Sequence, residues 1–158
     1  MNLIAFSRWL ESTTLSQLIQ TTSWAIPGIQ VVHILCLAIL FALALNLSLR
    51  VAGRGLALEA SRSLAARFVP AMGVCLVWLL LSGSLLVIAE PSRTITNQVF
   101  YIKMSLLVVA IALTLWLATV ARRELDEPTL LHVAVAVLCM LVWTGIIVAG
   151  RYIAYYIT

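Results

Sequence analysis

The stretch "SWAIPGIQVVHILCLAILFALALNLSLR", Ser23 to Arg50, decides how the rest of the chain is read. Around His33 it is built mostly of Val, Ile, Leu, Ala and Phe, and no charged side chain occurs from Ser12 to Leu49. The same pattern recurs from Phe68 to Ala89, from Met104 to Ala121 and from Pro128 to Gly150. Each window is about long enough for the ~20 residues that cross a bilayer core.

Composition agrees. Of 158 residues, 63% are hydrophobic and 10% charged, and the mean hydropathy is +1.11. A single core of this size could not hide so much apolar surface, so lipid must be the solvent. Backbone groups in lipid have to be satisfied within the segment, which predicts a helix for each window. The expected architecture is all-α: one transmembrane domain over 1–158, an up-down bundle of four spans near 25–49, 70–89, 99–121 and 130–149. Pro70 and Pro128 are expected in first turns, where a missing N–H costs little. Pro27 with Gly28 marks the start of the first span.

Residues 1–23 do not have the order of a signal peptide, because Arg8 and Glu11 follow apolar residues instead of preceding them. In "NLIAFSRWLE", Leu3, Phe6 and Leu10 recur at helical spacing opposite Ser7 and Glu11, predicting an amphipathic helix in the interface plane. "TLSQ", Thr14 to Gln17, fits a capping box opening a second short helix. Trp9 and Trp24 suit an aromatic belt.

Basic residues set the expected orientation. Arg50, Arg54, Arg62, Arg67, Arg122 and Arg123 fall on one side, against Arg8, Arg93, Lys103 and Arg151 on the other. The larger group belongs inside, which places both termini on the outer side of the membrane. The net charge of +4 then reads as membrane anchoring and not nucleic-acid binding, since no soluble basic domain is present to hold a duplex.

Chemical motifs are few. Cys36, Cys75 and Cys139 lie within spans and have neither zinc-type nor redox spacing. Gly83 and Gly145, beside Ser82, Ser84 and Thr144, read as small residues for close helix contact. With no phosphate-binding loop and no paired nucleophile and base, independent catalysis is not expected.

"SW..P..Q..H" at the start of the first span, "LSLRVAG" at its end, "F..K" at Phe100 and Lys103, and "W.....AGRYIAY" closing the fourth resemble a family of small bacterial four-helix membrane proteins catalogued as a domain of unknown function. That family is distantly similar to copper-resistance D-like and cytochrome b561-like membrane proteins. The resemblance covers nearly the whole chain and implies the fold more than an activity. One departure is Ser48, where the family carries an acidic residue before "LR".

Up-down topology brings Gln30 and His33, Glu90, Lys103 and Met104, and Trp143 and Arg151 toward the same outer leaflet. An ionisable residue within a span commonly faces the bundle interior or a cavity, so His33, Gln30, Lys103, Arg151, Met104 and Trp143 are the candidate cofactor-binding residues, with His33 also the candidate metal ligand. The plainer alternative makes His33 a packing histidine that joins the first and fourth spans through one hydrogen bond, worth about 0.6 to 2 kcal/mol. Lys103 and Arg151 would then be snorkelling anchors.

A haem b between His33 and His132 is excluded by depth. His33 lies about 12 Å inside one end of its helix and His132 about 3 Å inside the other end of its own. Three classes stay open: a redox or cofactor-binding subunit holding haem or a quinone, a copper-handling protein, and an accessory subunit without cofactor. The expected partners are the lipid bilayer, a redox partner and further copies of the chain in a homo-oligomer.

Overall fold

A computed structural model describes residues 3–54, 61–123 and 128–155, with side chains from 66 onward in the second stretch and up to 153 in the third. Seven helices follow in order: α1 (Leu3–Glu11), α2 (Thr14–Thr21), α3 (Ala25–Val51), α4 (Ser61–Ala89), α5 (Pro91–Ile95), α6 (Gln98–Arg122) and α7 (Leu130–Tyr155). There is no strand among the described residues. Four helices, α3, α4, α6 and α7, are long and apolar enough to cross a membrane. The chain is therefore a small multi-pass membrane protein, an all-α four-helix bundle preceded by two short helices. Glu124, Asp126 and Glu127 enter the charge count but lie outside the described residues, as does the side chain of Arg62.

Neighbours in sequence are antiparallel neighbours in space. α3 packs most extensively on α4 and α6 on α7, α3 also lies along α7, and the contact between α4 and α6 is the lightest of the adjacent pairs. The buried positions keep a spacing of three and four residues: Leu40, Ala44, Leu47 and Val51 on α3, Leu107, Ala110, Thr114, Leu117 and Ala121 on α6, and Ala136, Cys139, Trp143 and Ile146 on α7. A repeat of that period keeps one seam facing its partner helices, as in left-handed bundles. Outside the seam, large side chains such as Val31, Leu35, Val77, Leu81, Val108 and Leu141 are exposed, which suits a lipid-facing surface.

The turn after α3 has a local cause. The Gly53 N–H donates to the Arg50 carbonyl (3.1 Å) and the Arg54 N–H to the Leu49 carbonyl (2.9 Å), the paired bonds of a Schellman ending. Gly53 supplies the positive φ of 72° that this ending requires. It also lets the chain approach Pro128, whose Cγ would lie 2.6 Å from a Cβ at position 53. The end of α3 and the approach to α7 are thereby joined on the face opposite the termini.

Several local expectations are corrected. Pro70 lies inside α4, which begins at Ser61, and not in its first turn. The helix continues through it at the membrane boundary, where water can reach the Ala66 carbonyl that Pro70 leaves without a donor. Pro128 precedes α7 and packs on Gly53. α2 is capped by Thr13 and not Thr14: the Thr13 hydroxyl accepts from the Ser16 N–H (3.4 Å) and donates to the Leu10 carbonyl (2.6 Å), so one side chain closes α1 and opens α2. The connection between α4 and α6 contains the short helix α5, on which α1 rests.

α1 lies with its small polar edge toward the protein. Ser7 is buried against the protein while Leu3, Ile4 and Trp9 are exposed. In an interface the apolar edge gains by facing lipid, and the small polar edge permits close contact with another helix. The Ser92 hydroxyl donates to the Glu11 carboxylate (2.8 Å), and the Gln20 side-chain amide donates to the Ala89 carbonyl (2.8 Å), fastening α1 and α2 over the end of the bundle where α3 begins.

Candidate functional site

His33 faces α4. Its Nδ1 is 2.9 Å from the hydroxyl of Ser82, three-quarters of the way along α4. Gly83 makes this approach possible, since a Cβ there would lie 3.3 Å from His33 Cε1. The partner helix is therefore α4, the second span, and not α7, the fourth.

The Ser82 hydroxyl is also tied to its own helix: its oxygen lies 2.7 Å from the Trp78 carbonyl and 3.2 Å from the Leu79 carbonyl. In the contact with His33 the ring nitrogen or the hydroxyl donates, according to the tautomer of the imidazole.

Lys103 enters the same region from α6, about 7.5 Å inside that helix. Its side chain rests on Gly150 of α7, where a Cβ would lie 3.5 Å from Nζ and 3.8 Å from Cε. It is only partly exposed, and its ammonium has no acidic partner and no hydrogen-bond acceptor among the described residues. Two polar groups on different helices are thus each seated on a glycine of a neighbouring helix.

The other expected members of the site are placed differently. Gln30 is exposed on α3, Met104 is 40% exposed on α6, and Arg151 is exposed on α7 beside Gly150. Trp143 belongs to the core nearer the middle of the bundle: it is 1% exposed and donates its indole N–H to the Thr114 hydroxyl (3.1 Å). Thr114 in turn donates to the Ala110 carbonyl (2.7 Å) and lies 3.5 Å from the Cys139 sulfur. Glu90 pairs with Arg93 (3.0 Å) on α5, and Asn97 caps α6 by accepting from the Val99 N–H (2.9 Å).

Ser82 and Gly83 are the functional neighbours that sequence reasoning assigned only to close packing. The signal was present in their adjacency, but nothing in the order of residues connects them to His33.

His132 serves the opposite end. Its Nδ1 accepts from the Thr129 N–H (3.1 Å) at the start of α7, and its ring lies 5.9 Å from that of Trp116. This is a helix-end and packing role. A cavity of about 170 Å³ lies between α4 and α6, floored by Leu40 and Trp143, and its walls include neither His33 nor Lys103.

The residues present do not fit a bis-histidine haem, because the two imidazoles are at opposite ends of the bundle, His33 against Ser82 and His132 at the start of α7. Nor, among the described residues, do three His, Cys, Asp or Glu side chains converge as a metal donor set. No family profile, no curated protein and no solved structure matches the chain.

Proposed function

We propose that the protein is a membrane subunit of a redox or cofactor-handling system that holds the polar head of a quinone-type molecule dissolved in the bilayer, with Lys103 and His33 as its contacts. The observation that carries this reading is the Lys103 ammonium, partly buried against Gly150 and without an acidic partner or acceptor among the described residues. A cation within a span is costly unless something neutralises or hydrogen-bonds it. A carbonyl or anionic oxygen on a membrane-dissolved ligand supplies that acceptor. His33 then provides the second polar contact, while the ligand's apolar tail remains in hydrocarbon.

Lys103→Met tests this, because it keeps the aliphatic stem on Gly150 and removes only the charge. Binding of a short-tailed hydroquinone to the purified protein in phosphatidylcholine nanodiscs, read by tryptophan fluorescence quenching, should weaken at least about tenfold, the usual consequence of losing a hydrogen bond to a charged group. Equal binding by the variant, or none by the unaltered protein, would leave Lys103 a snorkelling anchor.

The reading includes an orientation in which both termini and this site face the periplasmic side of a bacterial inner membrane, as the distribution of basic residues favours. A cysteine at Thr96 should react with a membrane-impermeant reagent in intact cells, and one at Thr129 should be shielded. The opposite pattern would invert the placement and keep the bundle.

A further inference from the structure

We infer that the cavity between α4 and α6 is a binding site for the methyl end of a lipid acyl chain, which enters sideways from the bilayer and completes the core that these two helices leave open. The site stands apart from Lys103 and His33, neither of which lines it, and its volume is about 170 Å³. Leu40, Thr114 and Trp143 line it and are buried, whereas Gly73 on α4 and Leu115 on α6 line it and are also exposed on the outer surface of the bundle. The cavity therefore opens between those two residues, and what lies outside the opening is hydrocarbon.

Gly73 makes the opening. A Cβ at that position would meet nothing within 4 Å among the described residues, whereas one at Gly83, Gly145 or Gly150 would touch a neighbouring side chain. Those three glycines admit a neighbour from the protein, and Gly73 admits none. α4 and α6 also make the lightest contact of the adjacent pairs, so the space beside Gly73 is not closed from the α6 side.

The lining sets the chemistry of the occupant. Thr114 and Trp143 bring the only hydroxyl and N–H among the described lining side chains, and both are used: the Trp143 indole donates to Thr114 Oγ1 (3.1 Å), which donates to the Ala110 carbonyl (2.7 Å). The walls thus offer nothing to water or to a polar head, and an apolar void of about 150 Å³ in a soluble protein stays dry and takes benzene or xenon. Depth narrows the choice further. Trp143, Leu40 and Thr114 lie about 18 to 24 Å from the ends of their helices on the side where α3 begins, the middle region of helices 25 to 27 residues long. The ends of acyl chains meet at the middle of a bilayer, in excess over any dissolved molecule, so mass action gives the site to an acyl chain.

Trp143 is the reporter, because it lines the cavity and is only 1% exposed. The quadruple variant Trp9→Phe, Trp24→Phe, Trp78→Phe, Trp116→Phe keeps it as the one indole in the chain. In nanodiscs of phosphatidylcholine brominated near the chain ends, its emission should be mostly quenched relative to unbrominated lipid, despite the burial of the ring. Gly73→Leu, which puts a side chain into the open space, should restore most of that emission, and Leu115→Phe, which narrows the mouth from α6, should act in the same direction. Quenching that survives both substitutions comes from bromine outside the bundle and overturns the inference, as does emission that the brominated chains leave unchanged. Farnesol added as a minor component should not relieve the quenching; relief would give the cavity to branched isoprenoid chains and overturn its assignment to acyl chains.

Discussion

Replacing Trp143 by alanine should remove about 3 to 5 kcal/mol of stability, the range for truncating a buried indole. Trp143 is the largest fully buried side chain among the described residues, 1% exposed on α7, and it belongs to a core cluster drawn from all four spans. Two losses combine. The indole volume disappears next to the existing 170 Å³ cavity that Trp143 helps to floor, so the new void joins an old one instead of collapsing. The Thr114 hydroxyl also loses the N–H donated to it at 3.1 Å, although it keeps its own bond to the Ala110 carbonyl.

Lipid tempers the first loss, because a hydrocarbon chain can approach through the light contact between α4 and α6. The effect should therefore fall toward the lower end of the range. Trp143→Phe keeps most of the volume and should cost only about 1 kcal/mol for the missing hydrogen bond. Midpoints of SDS titrations in bicelles measure both. An alanine variant that unfolds with the unaltered protein would mean that the four spans do not meet around this ring.

Gly83→Leu should both loosen the bundle and empty the His33 seat. A Cβ at position 83 would already be 3.3 Å from His33 Cε1 and 3.8 Å from Nδ1, and leucine adds three more carbons beyond it. Either α3 and α4 move apart or the ring rotates away from Ser82, and overpacking of this kind costs about 1 to 3 kcal/mol. Hydroquinone binding should fall at least about tenfold along with the loss of the Ser82 contact.

Gly83→Ala is the informative companion. The ring must yield only a few tenths of an ångström, and alanine is about 1 kcal/mol better than glycine in a helix, so stability should stay close to that of the unaltered protein. The ¹⁵N signals of His33 report the ring directly. If the leucine variant leaves both those signals and the unfolding midpoint unchanged, His33 is not seated on Gly83.

What could be read from the order of residues follows from the solvent. A stretch such as Ser23 to Arg50 has to satisfy its backbone internally once it is in hydrocarbon, so the helix, its approximate length and the number of spans are legible without any knowledge of contacts. The amphipathic N-terminal segment was legible for the same reason. The element it packs on was not: Ser7 turns inward and Trp9 outward, because lipid and protein interior are both apolar and the small polar edge allows the closer contact with α5.

That equivalence explains most of what the sequence left open. Each span is apolar on all sides, so hydropathy carries no mark of the seam formed by Leu40, Ala44, Leu47 and Val51 or by Ala136, Cys139, Trp143 and Ile146. His33 and Lys103 were recognisable as polar groups at unusual depth, since charge and imidazole are conspicuous among aliphatic residues. Which helix each would meet depended on where a missing side chain leaves room, at Gly83 for the one and at Gly150 for the other. The register that sets Ser82 opposite His33, draws Trp143 away to Thr114 and leaves Met104 facing outward was decided by steric fit among four helices, because the hydrophobic effect that sorts faces in water has no such preference within a bilayer.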